Sequence, residues 1–482
     1  MKILINRALL FLLSALISLT VFSQDDDVPR GWHLLDKQTS GYYGISLEKA
    51  YEFVKEKNLK SKPVIVAVID SGVDTTHEDI KPVLWHNPKE IPGNGIDDDK
   101  NGYVDDIYGW NFIGGRDGRN VETDSWEAAR VYHALKDKWE DKDISKMQLT
   151  KDELDEYNLW KRAEKGVVGD IDPFEVMMTK NIYKSLIAGD SIIRKDLKKE
   201  EYNCKDLESY IPGSSAASKA KNILSRICLL NDENEITNTE LIEELEGEIR
   251  KAEAIDAPPK DYRNEIVKDN YNDFNDKFYG NNDVMASNKS ASHGTHVSGI
   301  IGAAHNGVGV DGIADNVKIM IIRTVPSGDE HDEDIALAIR YAVDNGAEVV
   351  NMSFGKSFSP EKKWVDEAAK YAESKGVLLV QAAGNDKKDI DTGYNFPSPV
   401  FQADGKRATN WITVGASGDP KSGGIIAYFS NYGKKNVDVF APGVKIYSSV
   451  PGGNTYQSMN GTSMAAPVVS GLAALILEYF PD

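Results

Sequence analysis

Asp70, His293, His296, Asn385 and Ser463 all stand at the ends of elements that the sequence pattern predicts. An acid, an imidazole and a hydroxyl can together make the hydroxyl a nucleophile. The imidazole takes the hydroxyl proton, and the acid fixes its tautomer and stabilises the imidazolium. An amide can then stabilise the oxyanion formed by attack on a carbonyl. Each residue has an ordinary reading as well. Ser463 at a helix start is most often a plain cap, and Asp70 can cap the helix that follows it. Chance explains any one of these placements and hardly explains all the roles being filled together.

The elements that must position these groups read as follows. Residues 63–70 are a near-continuous β-branched run, the pattern of a strand buried on both faces of a parallel sheet. It ends in Asp70-Ser71-Gly72-Val73-Asp74, where open α/β sheets place their sites. Residues 293–302 predict a helix whose first residue is His293. Strands are predicted at 317–325, 348–354, 377–385, 411–416 and 437–440, and helices at 335–345 and 364–375. Strands alternating with helices indicate parallel βαβ units. In Asn460-Gly461-Thr462-Ser463-Met464-Ala465-Ala466-Pro467, Gly461 allows a sharp turn. Pro467 is tolerated within the first turn of a helix, which places the helix start near Thr462 or Ser463. The unpaired N–H groups of that turn favour negative charge.

The segments Val68-Ile69-Asp70-Ser71-Gly72-Val73, His293-Gly294-Thr295-His296-Val297, Ala382-Ala383-Gly384-Asn385 and Gly461-Thr462-Ser463-Met464-Ala465-Ala466-Pro467 resemble the motifs of the subtilisin-like serine peptidases, in that family's Asp, His, Ser order. The resemblance covers about 63–115 and 286–482. It implies a three-layer, doubly wound, mostly parallel α/β sheet and an endopeptidase acting on polypeptide substrates. It also implies Ser463 as nucleophile, His293 as base and then acid, and Asp70 as its orienting partner. Asn385 would donate to the oxyanion beside the Ser463 N–H, and His296 would be structural. Ser353-Phe354-Gly355 and Ala382-Ala383-Gly384 resemble the walls of the primary specificity pocket. Phe354 is bulkier than the aliphatic residue often found there, which predicts a shallower or re-shaped pocket. Residues 325–328 resemble the strand that pairs with an extended substrate. Family members continue past the serine helix, so the chain is expected to be truncated at Asp482. No inhibitor-like propeptide is recognisable.

Asp70 and His293 are 223 residues apart, against a few dozen in compact family members. Residues 120–285 are therefore expected to be a mostly helical insertion. Its stripes include Ala128, Val131, Tyr132, Leu135 and Trp139, and then Leu241, Leu245 and Ile249. Its chemistry is not legible; one expectation is a docking surface for a protein partner or substrate. The peptidase domain is then 63–119 with 286–482.

Asp97, Asp99 and Asn101 alternate and are followed by Gly102, matching the first half of a calcium loop, with the Tyr103 carbonyl at its seventh position. The twelfth position is Tyr108, so this is no EF-hand, and Asp105 or Asp106 is expected to supply the missing carboxylate. Carboxylates this close repel one another without a cation, which favours a structural Ca²⁺.

Of the 482 residues, 27% are charged, and the net charge of −20 argues against nucleic acid and anionic membranes as partners. Residues 1–24 read as a secretory signal peptide. No other long apolar run is seen, so no stable membrane span is expected after signal cleavage, and the protein is expected to be secreted, periplasmic or at the cell surface. Residues 25–62 form a polar extension with one helical pattern, Leu47, Ala50, Tyr51 and Val54. Cys204 and Cys228 are either bridged or two buried thiols; the sequence leaves both open.

Overall fold

The computed structural model describes residues 28–169, 172–199, 201–231, 236–271 and 273–481. The expected signal segment lies outside them. Two compact units form, one of residues 28–124 with 261–481, the other Ser125–Lys260.

In the first unit, β1 (Val64–Asp70) lies near the centre of a twisted sheet. Its partners are β2 (Gly109–Asn111), β3 (Val317–Arg323), β4 (Val349–Met352), β5 (Leu378–Ala382), β6 (Trp411–Asp419), β7 (Ser422–Ile426) and β8 (Val439–Pro442), in the order β2-β3-β1-β4-β5-β6-β7 with β8 also on β6. All neighbours are parallel except β6 and β7. Alternation along β1 sends Val64, Val66 and Val68 to one apolar cluster and Ala67 and Ile69 to another. Each fully buried Val or Ile contributes about 1.5–3 kcal/mol.

Helix α1 (Leu47–Glu56) buries Leu47 and Val54 in the first cluster's unit. Helices α2 (Asn288–Gly302) and α5 (Thr462–Tyr479) cover the face of Val64, Val66 and Val68. Helices α3 (Asp332–Asp344) and α4 (Lys362–Ser374) cover the other. The result is the three-layer doubly wound arrangement expected. Helix α5 is long and apolar enough to cross a membrane, but 61% of it is buried inside this unit. A hairpin of β9 (Ile446–Val450) and β10 (Thr455–Met459) lies off the sheet.

Three boundaries differ from expectation. Helix α2 starts at Asn288, because Ser287 caps it by accepting the Ser290 N–H, so His293 lies in its second turn. Residues 28–62 are no loose extension: Trp32 is buried and donates to the Val444 carbonyl at 3.0 Å. The helical unit is Ser125–Lys260, narrower than 120–285. Val267, Tyr279 and Val284 are buried in the first unit instead, and Asn111 and Asn281 exchange backbone hydrogen bonds of 2.9 and 3.1 Å.

The second unit contains helices Glu127–Trp139, Lys151–Glu164, Pro173–Leu197, Cys204–Glu208, Ser215–Asn231 and Asn238–Glu253. Thr150 with Glu153 and Thr237 with Glu240 form capping boxes. Leu186, Ile193, Leu207, Leu224, Leu241 and Leu245 make a separate core, and Cys204 and Cys228 are disulfide-bonded.

Candidate active site

Parallel strands bring their C-terminal ends to one edge. Asp70 ends β1. Its Oδ1 accepts from His293 Nδ1 at 2.8 Å and from the Ser71 N–H at 2.7 Å. Because Nδ1 carries the proton toward the carboxylate, Nε2 is left as the base. Partial burial pulls the imidazole pKa down, but the Asp70 charge and hydrogen bond outweigh it and leave His293 above its ordinary value. His296 is different: buried and bonded to the Gln457 carbonyl at 3.0 Å, it is pushed down to about 3 by burial and stays neutral.

Ser463 is the second residue of α5. Its Oγ donates to the Ser353 carbonyl at 3.0 Å rather than to His293, and the Ser353 hydroxyl donates back to the Ser463 carbonyl at 2.9 Å. The second bond has a cause in α5. Pro467 lies at the sixth helical position, beyond the expected first turn. Lacking an N–H, it leaves the Ser463 carbonyl four residues back without a helical donor, and Ser353 fills that place. Ser353 is itself held by the Asn351 amide at 2.9 Å, and Asn351 by the Ser470 hydroxyl at 2.8 Å.

The two expected walls flank this turn. Gly384 N–H donates to Thr462 Oγ1 at 3.0 Å, while Ser353 is bonded to Ser463, so both are tied to the first turn of α5. Gly384 needs its glycine: φ is +95°, and a Cβ would meet Asn431 at 2.5 Å. Ala382 and Ala383 are buried and Gly355 is exposed. The Phe354 ring shares the Met352 face and packs on the α3–α4 cluster. Asn385 is exposed, with its Oδ1 fixed by Thr462 and its amide left to donate. The Ser463 N–H lies in the first turn of α5, where no helical carbonyl reaches it. In 325–328 no regular strand forms. Ser327 pairs on one side with residues 122 and 124, so by alternation Pro326 and Gly328 face the other side.

The acidic loop brings Asp97 and Asp99 together with Glu90, their ligand oxygens within 4.8 Å of one another. Glu90 was not anticipated. Its Oε1 accepts the Asp98 and Asp99 N–H groups, while its Oε2 is buried without a hydrogen bond. Asn101 lies alongside, its N–H on Asp97 and Asp99. The Tyr103 ring is buried against Trp110 and Tyr341. Asp105, expected to complete the set, lies outside the group of Glu90, Asp97 and Asp99. Its oxygens accept the N–H groups of Gly93, Asn94 and Gly95, which turns its carboxylate to the preceding loop. Asp106 is likewise taken up, by Asn87, Asn101 and Tyr341.

A hydroxyl, an imidazole–carboxylate pair and an amide thus stand on elements of one mostly parallel sheet and the two helices that cover one of its faces. The chain belongs to the subtilase family, whose profile matches residues 61–482. It is 43% identical over 187 residues to a thermophilic serine proteinase of Bacillus sp. strain AK1, covering 38% of this chain and 42% of that relative. It is 38% identical over 191 residues to subtilisin Savinase of Lederbergia lenta, covering 39% of this chain and 64% of that relative. A solved protease from Pseudoalteromonas arctica matches 39% of this chain and 59% of its own, at 35% identity and a TM-score of 0.35. The chain thus spans less than two thirds of the relatives it matches.

Proposed function

We propose that this chain is an exported serine endopeptidase that hydrolyses peptide bonds through an acyl-enzyme. The observation that carries the reading is the bond from His293 Nδ1 to Asp70, which leaves Nε2 to act as a base, on a helix that covers the same sheet face as the helix of Ser463. In the reaction, Ser463 Oγ leaves the Ser353 carbonyl, gives its proton to His293 Nε2 and bonds to the substrate carbonyl carbon. The oxyanion is met by the Ser463 N–H and the Asn385 amide. His293 then protonates the leaving nitrogen as the C–N bond breaks, and a water repeats the sequence to free the acid product and restore Ser463. The substrate carbonyl would lie between 353–355 and 382–384. Looser geometry before substrate binds is ordinary for such sites.

Export is supported by the signal-like residues 1–24 and by the Cys204–Cys228 disulfide, which suits an oxidising compartment. A structural Ca²⁺ is supported by the buried, undonated Glu90 oxygen beside Asp97 and Asp99. Glu90, Asp97, Asp99, the Asn101 side chain and the Tyr103 carbonyl are the groups to hold it, and its charge would offset their repulsion.

The test is Ser463→Ala. Peptide cleavage and labelling by a serine-directed phosphonate should both vanish, with a loss of about 10⁶ in kcat, a magnitude taken from subtilisin itself. Undiminished turnover would sink the reading.

A further inference from the structure

Arg323 ends β3 and pairs in register with Asp70, so both side chains leave the same face of the sheet. It is 0% exposed, yet all three of its hydrogen bonds go to neutral acceptors. Nε donates to the Ser71 carbonyl at 2.8 Å, one terminal nitrogen to Asn111 Oδ1 at 3.1 Å and the other to the Val121 carbonyl at 2.6 Å. Buried guanidinium groups ordinarily take a carboxylate. Beside this one lies Asp70, whose Oδ2 is buried with no hydrogen bond.

The contacts run in series. Ser71 donates both its N–H and its hydroxyl to Asp70 Oδ1, at 2.7 and 3.1 Å, and so sets the carboxylate's orientation. Arg323 holds Ser71 by its carbonyl. On the far side, Gly72 is packed so closely on the Val284 and Met285 carbonyls that a Cβ would meet each at 2.9 Å. The turn after Asp70 therefore has little room to shift; the guanidinium anchors it at Ser71, and the Val73 and Asp74 N–H groups anchor it further on, at the Val284 carbonyl and the Thr295 hydroxyl.

We propose that Arg323 is a positioning residue for the triad, locking the turn that orients Asp70 and placing a fixed positive charge beside the Asp70–His293 pair. This rests on the peptidase reading. The charged and titratable groups around the pair are Asp70 on β1, His293 and His296 on α2, and the exposed Glu122 and Asp283 on the segments flanking the guanidinium. Burial lowers Arg323 to about 10, so it keeps its charge where an imidazole titrates. A positive charge there opposes the imidazolium, while misplacing Asp70 by about 1 Å can cost on the order of 10² in rate.

The experiment compares wild type, R323K and R323M on a chromogenic peptide. It reads kcat, KM and the acidic limb of kcat/KM against pH, with active sites counted by phosphonate. R323M should lose about 10–100-fold in kcat with KM within about twofold, and its acidic limb should move to higher pH. R323K should lose kcat but keep the limb, because it keeps the charge and not the fork. An active wild type whose R323M variant matches it in kcat and limb, or differs only in melting temperature, overturns the proposal. If R323M does not fold, R323K decides: lower kcat at unchanged KM supports the proposal and unchanged kcat overturns it. A wild type that never reacts with the phosphonate overturns the peptidase reading and this proposal with it.

Discussion

Thr462 holds Asn385 by its carbonyl end, donating both its N–H and its hydroxyl to Oδ1 at 2.9 Å. The amide nitrogen is thereby left beside Gly461 as a donor, and the amide cannot flip without losing both bonds. The same hydroxyl accepts from Gly384, so the donor and the pocket wall are set together.

Asn385→Ala should lower kcat by about 10²–10³ with little change in KM, a magnitude taken from subtilisin. Thr462→Val, which removes one of the two bonds on Oδ1, should cost about 1 kcal/mol of that orientation, a several-fold fall in kcat. Steady-state kinetics of both variants check this. A KM effect without a kcat effect in Asn385→Ala would contradict the donor role.

The raised pKa of His293 places the acidic limb of kcat/KM above about pH 6.5, the ordinary imidazole value. Asp70→Asn removes the charge that raises it, so the limb should fall to lower pH while kcat drops about 3 × 10⁴-fold, the magnitude for loss of the subtilisin aspartate. For stability the sign is opposite to that of a carboxylate. The contribution of His293 is fully present below its unfolded value and is lost as pH rises through its folded one. Rate profiles and melting curves across pH 5–9 test both.

Ser353→Ala should leave the Ser463 carbonyl without a donor, at a cost of about 1–3 kcal/mol. Restoring an N–H with Pro467→Ala in that background should recover part of it, whereas Pro467→Ala alone should not add to wild-type stability in the same measure. The double-mutant cycle in urea reads the coupling directly; simple additivity would separate the two residues.

Chelation should lower the melting temperature, and Ca²⁺ at about 100 times its Kd should restore about 2.7 kcal/mol. Glu90→Gln should weaken that response. Asp105→Asn should leave calcium affinity nearly unchanged, because its carboxylate serves residues 93–95. Isothermal titration with Ca²⁺ distinguishes the two.

Reducing the Cys204–Cys228 bond, which closes a separation of 24 residues, should destabilise the helical unit by about 3 kcal/mol in the chain-entropy treatment. Cys204→Ser with Cys228→Ser should melt earlier and lose its response to dithiothreitol, while the pH–rate profile keeps its shape.

How much of this was legible depended on whether the governing contact was local. Asp70, Asn385 and Ser463 were legible because a β-branched run or a Gly-led turn beside each marks an element end. His293 was expected at the first residue of its helix and lies in the second turn, since Ser287, Ser290 and Ser292 offer competing starts and only the cap hydrogen bond decides. The approach of Glu90 to Asp97 and Asp99 was not legible, because a turn without periodicity carries it there. That Asp105 turns to residues 93–95 was not legible, because spacing alone does not say which way a carboxylate points. Arg323 falls inside the expected strand 317–325 and draws no notice there; only register pairs it with Asp70. Residues 261–285 looked like insertion because Val267, Tyr279 and Val284 have no period, although all three are buried in the first unit.

The pairing of Asn111 with Asn281 sets a kinetic constraint on folding. Their separation is 170 residues, and the contact that joins Asp70 to His293 spans 223. Closing a coil of that length costs about 2 kcal/mol more than closing one of about 20 residues, since each doubling adds about 0.6. Contacts so distant in sequence also slow folding. The helical unit shortens the task, because a segment that has already condensed around Leu186, Leu224 and Leu245 is no longer free coil. Acid and base would then meet late, after the segment between them has folded.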